Sequence, residues 1–179
     1  MDCRGKLSLM TATMYWISDV PAGRLAIVPR PRGGDWLADE VRGWRAACVD
    51  VLVSLLTRNE IEEWALQELE TLCRQNGIEF LSFAIADRDT PRSVERFKGL
   101  VEMIRARLAD GKSIPVHCRA GIGRSSLVAA GTLALMGIDV RTAFERIAEA
   151  RGCPVPDTEE QRNWVEQFAR SLRATAPTI

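Results

Sequence analysis

The chain holds one histidine, no excess of either charge and no apolar run long enough to cross a bilayer, and each shortage removes a class of function. With His117 alone, a multi-histidine metal centre cannot be built within the chain. Twenty-four basic residues against 24 acidic ones leave no bulk field to attract nucleic acid or an acidic membrane surface, so anion recognition must be local. Ser8, Thr11, Thr13 and Asp19 interrupt the apolar runs that follow Arg4 and Lys6, so neither a secretory leader nor a stable membrane insertion is expected. Cysteine is present without pairing: Cys3, Cys48, Cys73, Cys118 and Cys153 are odd in number, widely spread and free of CxxC spacing. Reduced thiols and a cytoplasmic setting are the expectation. Internal repeats and low-complexity segments are also absent.

What is there suffices for one substantial core, with 179 residues of which 46% are hydrophobic. Residues 1–13 read as a partly disordered N-terminal segment and 14–179 as the folded domain. Met14–Ile17 and Leu25–Val28 read as short strands, followed by the turn-rich Pro29–Gly34. A helix is expected from Asp35, its cap, with Trp36, Leu37, Val41 and Trp44 on one apolar face. Val49–Leu56 is almost continuously apolar, as a strand buried on both faces would be, and Asn59–Gln75 reads as one helix ending at Asn76–Gly77. A strand at Ile78–Ile85, a loop at Ala86–Pro91, a helix at Ser93–Ala109 and a strand at Ser113–His117 come next. Helices follow from Arg124 and over Val140–Ala150 and Thr158–Ser171, the last two separated by the loop Arg151–Asp157. Strands alternating with helices define an α/β domain with a mainly parallel sheet, whose ligands gather beyond the carboxyl ends of the strands.

The turn after Val116 is such a place. Residues 117–126 read His-Cys-Arg-Ala-Gly-Ile-Gly-Arg-Ser-Ser, setting a thiol at the end of a strand and an arginine at the start of a helix. Backbone N–H groups of Arg119, Ala120, Gly121, Ile122, Gly123 and Arg124 can converge there on a tetrahedral dianion, helped by the helix dipole. Gly121 and Gly123 permit the backbone angles and close approach that such a turn needs. A positive environment of this kind favours the anionic, nucleophilic form of a thiol. Arg124 can hold two phosphoryl oxygens through its planar fork, and Ser125 can donate to the departing thiolate. The turn is not a dinucleotide fingerprint, because Ser126 stands where a third glycine is needed. Gly111-Lys112-Ser113 is not a nucleotide-binding P-loop, because Ala106 stands where its first glycine belongs.

This His-Cys-x5-Arg-Ser turn resembles that of the protein tyrosine and dual-specificity phosphatases. Within them the chain is most similar to the compact group that contains the cyclin-dependent-kinase-associated phosphatase and bacterial relatives, over roughly Leu25 to Phe168. The resemblance implies that fold, a phosphocysteine intermediate at Cys118, and neither metal nor cofactor. It also places the general acid on Asp87, in Asp87-Arg-Asp-Thr-Pro91, with Asp89 the alternate. Asp-x-Asp-Thr-Pro is equally good turn and helix-start chemistry, with Thr90 a cap before Pro91. Thr158 and Gln161 match the segment that positions the hydrolytic water in the family, whereas Asp157 stands where the family has glutamine. Asp157 with Glu160 also reads as a capping pair for the helix starting at Thr158. His117 is expected to order the turn and assist the thiolate rather than to act as a general base. The five tryptophans read as core residues.

The expected substrate is a phosphorylated protein, carrying phosphotyrosine and possible phosphoserine or phosphothreonine, in a shallow pocket. A phosphoinositide or other non-protein ester is the second reading, against which Ile122 stands where phosphoinositide-selective members carry lysine. A phosphate-binding adaptor is the third. Oligomeric state is left open.

Overall fold

The computed structural model describes residues 13–174, so the expected N-terminal segment lies outside the described residues except for Thr13. Its five strands, β1 (Tyr15–Trp16), β2 (Arg24–Val28), β3 (Val51–Ser54), β4 (Glu79–Ser82) and β5 (Ser113–His117), form one sheet in the order β1-β2-β5-β3-β4. The four longer strands are parallel, and β1 adds an antiparallel edge, with Tyr15 opposite Ile27. β5 lies at the centre, where His117 pairs with Val28 on one side and Ser54 on the other. All of Val51–Ser54 is buried, as a strand covered on both faces requires.

Helices cover the two faces unequally. On one face α1 (Leu37–Ala46) and α3 (Leu69–Gln75) enclose a core around Trp44, Leu52, Leu56 and Cys73. On the other, α4 (Val94–Ala109), α6 (Val140–Arg151) and α7 (Glu159–Ala174) surround α5 (Gly123–Leu135). Every residue of α5 from Gly123 to Leu133 is buried, which is why this helix is apolar all round rather than striped. A Cβ on Gly131 would lie 2.6 Å from the Phe97 ring, and that ring meets Trp164 and Phe168 edge-on at 4.6 and 4.9 Å. Close helix contact here depends on glycine.

Four local expectations are corrected. The helix expected over 59–75 is two: α2 (Arg58–Glu63) and α3, separated where Ala65 takes a φ of 51°. Leu66 turns into the second core there, and the Trp64 carbonyl presses on Gly33, where a Cβ would come within 1.8 Å. Asp35 lies in a 3-10 turn, Gly34–Trp36, and does not cap α1; Trp36 is 56% exposed and faces Arg32 instead of the core. Thr90 does not start α4, whose cap is Ser93, its hydroxyl accepting from the Arg96 N–H. Lastly, Cys48 is disulfide-bonded, against the expectation of five reduced thiols, while Cys73, Cys118 and Cys153 are free. Spacing along the chain does not reveal which cysteines a fold brings together.

Candidate active site

Parallel strands deliver their following loops to one edge of the sheet, and the register brings four of them together. Leu55 N–H donates to the His117 carbonyl at 3.0 Å, and Ile85 N–H to the Leu55 carbonyl at 3.1 Å. The segments after β2, β3, β4 and β5 therefore meet around residues 118–123. Gly121 takes a φ of 65°, and a Cβ there would lie 2.6 Å from the Val28 carbonyl carbon, so the turn can sit against β2 only with glycine.

The outward carbonyls of the turn are held from outside. Arg30 N–H donates to the Arg119 carbonyl at 3.1 Å, and the Arg151 guanidinium donates to the carbonyls of Gly121 (3.1 Å) and Ala120 (3.3 Å). Among the described residues, no hydrogen bond to a protein acceptor is made by the N–H groups of Arg119, Ala120, Gly121, Ile122 or Gly123. A run of unused donors at the start of a helix is a receptor for an anion. Cys118, 3% exposed, has its sulfur 3.5 Å from the Ser125 hydroxyl.

Arg124 is almost wholly buried, 1% exposed. Nη1 donates to Glu60 Oε2 (2.9 Å) and the Ile85 carbonyl (2.9 Å), while Nη2 donates to Glu60 Oε1 (2.8 Å) and Asp87 Oδ1 (2.9 Å). Glu60 thus grips the guanidinium in the bidentate geometry that lysine cannot reproduce. Its carboxylate also closes a capping box, accepting from Thr57 N–H at 2.9 Å. Burial opposes the charge of Glu60, yet hydrogen bonds from Arg124 and Thr57 hold its carboxyl below the usual range. For Arg124 burial likewise opposes the charge, and Glu60, Cys118 and Asp87 together raise its pKa.

The acid-loop carboxylates divide. Asp87 faces the turn, with Oδ1 on Arg124 and Oδ2 3.5 Å from Arg119, and is 45% exposed. Asp89 faces away: its Oδ1 accepts from Thr90 N–H at 2.8 Å and its carbonyl accepts from Gln161 Nε2 at 3.1 Å. Gln161 is fully buried, and its Oε1 has no hydrogen-bond partner. α7 is capped by Thr158, whose hydroxyl accepts from Gln161 N–H at 3.2 Å, so the expected Asp157–Glu160 cap is not formed. A carboxylate one residue too early cannot reach that donor as Thr158 does. Asp157 lies over the phosphate turn instead: a Cβ on Gly123 would come within 2.1 Å of its Oδ2 and 2.9 Å of Gln161 Oε1.

His117 is fully buried, with neither ring nitrogen hydrogen-bonded at normal geometry. Burial dominates and lowers its pKa from 6.5 to about 4; a Cys118 backbone group pulls upward against it, the Arg124 charge lowers it further by less, and Glu60 raises it least. The imidazole is therefore neutral at pH 7 and supplies packing beside Cys118, not charge. Glu60 and Arg151 were missed in the sequence. Thr57-x-x-Glu60 is a legible capping box, but nothing local in it reports a partner 64 residues away.

Comparison with known proteins places the chain in a family. Residues 53–170 match the family described as dual specificity phosphatase, catalytic domain. The chain belongs to that family. It is 30% identical over 127 residues to cyclin-dependent kinase inhibitor 3 of Rattus norvegicus, covering 70% of this chain and 59% of that protein. The Homo sapiens protein of the same name is 30% identical over 120 residues, covering 66% and 56%. The matched region thus spans less than three fifths of these relatives. Among solved structures, kinase associated phosphatase with serine in place of its catalytic-site cysteine superposes with a TM-score of 0.83 at 22% identity, covering 93% of this chain and 98% of that one. The active form of Tk-PTP gives 0.66 at 27% identity, covering 83% and 92%.

Proposed function

We propose that the chain is a cysteine-dependent phosphatase that hydrolyses phosphate monoesters on proteins, phosphotyrosine and also phosphoserine or phosphothreonine, without a metal. The observation that carries this reading is the convergence of Cys118, Ser125, Arg124 and Asp87 on a turn whose backbone donors are free. A phosphoryl group enters with its oxygens on those N–H groups and on Arg124, displacing the Asp87 carboxylate from Nη2. Cys118 thiolate attacks phosphorus, the P–O bond to the alcohol or phenol breaks, and protonated Asp87 gives the leaving oxygen its proton. Water then attacks the phosphocysteine, Asp87 accepts its proton, and the P–S bond breaks with Ser125 donating to the departing thiolate. Gln161, beside Gly123 with a free Oε1, is in reach of the turn to help orient that water. Relatives named for kinase inhibition or association support a protein substrate.

The test is turnover of an aryl phosphate and of phosphopeptides with chelator present. Cys118→Ser is expected to abolish hydrolysis, and wild type to be indifferent to chelator. Activity surviving in Cys118→Ser, or lost to chelator, overturns the mechanism. No described helix is long and apolar enough to cross a membrane; a cytoplasmic site of action belongs to the proposal, and the disulfide-bonded Cys48 stands against it.

A further inference from the structure

A cavity of about 350 Å³ is lined in part by Ala86, Asp89 and Thr90 of the acid loop. It shares Thr57 and Ala86 as a common wall with a cavity of about 390 Å³ at the mouth of the site, which Asp87 and Arg119 line. Its lining joins the apolar Phe83 and Ile85 to the basic Arg92 and Arg96. Neither guanidinium has an ion pair or hydrogen bond among the described residues. Several other surface arginines are paired, Arg58 with Glu62, Arg74 with Glu70, Arg107 with Glu79 and Arg141 with Glu145, so what sets Arg92 and Arg96 apart is that both line one cavity.

Arg92 precedes the Ser93 cap and Arg96 lies in the first turn of α4, and both line the same cavity. The Thr90 hydroxyl, which also lines the cavity, has no partner among the described residues. The Ser93 hydroxyl is already engaged, donating to Glu95 at 3.0 Å and accepting from Arg96 N–H. One carboxylate, Asp89, shares the lining, but it is turned to Thr90 N–H. Two guanidinium groups against one carboxylate leave the cavity a net positive charge.

Resting on the phosphatase reading, we infer that this cavity is a second subsite, taking an anionic side chain of the same peptide whose phosphoryl group occupies the turn at Cys118. Arg92 and Arg96 donate to that anion, and the apolar part of the lining takes its methylene or ring stem. The shared wall at Thr57 and Ala86 keeps the two positions within a short extended stretch, since each residue advances the chain about 3.3 Å. A phosphoryl group fits the two donors best and a carboxylate serves less well.

The experiment measures binding by Cys118→Ser of fluorescent phosphopeptides that carry alanine, glutamate or phosphoserine at each position from four before to four after the first phosphoresidue. At one spacing phosphoserine is expected to tighten binding about tenfold over alanine, and glutamate by less, the advantage shrinking in salt. In Arg92→Ala/Arg96→Ala in the same background, the ratio of anionic to alanine peptide is expected to fall to near one. No preferred spacing, equal preference in the double variant, or failure to bind any phosphopeptide overturns the subsite. Turnover of a small aryl phosphate by the unsubstituted chain reports separately on the phosphatase reading. Its absence overturns that reading, while the binding ratios still decide the subsite.

Discussion

The phosphate turn and the acid loop face each other across the same few ångströms and are built on opposite terms. From His117 to Arg124 the chain leaves a central strand and enters a buried helix, and Cys118, Arg124 and Ser125 are all 3% exposed or less. Its left-handed position is filled by Gly121, where that conformation is free of strain. The loop over 86–90 has Ala86, Asp87, Arg88 and Asp89 exposed, and its left-handed position is filled by Arg88 at a φ of 59°. That conformation costs a non-glycine residue about 1 kcal/mol. The Asp89 carbonyl is held by Gln161 and the Asp87 side chain by Arg124 and Arg119. One region, the cradle, is a buried run of donors; the other carries an exposed carboxylate, held by two guanidinium groups, that the proposed mechanism uses as its proton carrier.

The largest test of that contrast is on the cradle. Arg124→Lys keeps a charge but loses the fork to Glu60 and to phosphate, and kcat is expected to fall roughly a thousandfold. A loss below tenfold would mean the cradle is less fixed than its burial indicates. On the loop, Asp87→Asn should lower kcat by about a hundredfold for alkyl phosphates with poor leaving groups, and by much less for p-nitrophenyl phosphate, whose leaving group needs no proton. Equal losses on both esters would make Asp87 part of the cradle.

The third test separates rigidity from chemistry through pH. His117 is protonated near pH 6.5 in the unfolded chain but only near pH 4 in the folded one. Its contribution is complete above pH 6.5, is lost as pH falls through that window, and is constant below about 4, amounting to about 3 kcal/mol. Urea unfolding at pH 7.5 and pH 4.5 should show this loss for wild type, with a flatter dependence in His117→Asn. An unchanged slope in the variant would assign the acid sensitivity to other groups. The smallest effect is expected for Gln161→Ala, which frees the Asp89 carbonyl: about a threefold to tenfold loss in kcat, with KM little moved.

The same contrast decides what could be read in advance. Cys118, Arg124 and Ser125 were legible because the cradle is contiguous in sequence, and its strand–turn–helix frame is written in local periodicity. Asp87 was legible through a motif on the following loop. What escaped is long-range or strained. No glycine or proline between 59 and 75 marks the break at Ala65, which tertiary packing of Leu66 and Gly33 imposes. Glu60 looked like an ordinary surface helix residue, and Arg92 and Arg96 like ordinary surface charges, because neither a distant partner nor a missing one leaves a local trace.

The Glu60 carboxylate serves two structures at once, closing the cap of α2 through Thr57 and clamping Arg124. Substitutions at Thr57 and Arg124 therefore draw on one shared acceptor, so their effects on stability will not add. A change at the start of a surface helix reaches the phosphate cradle without touching it.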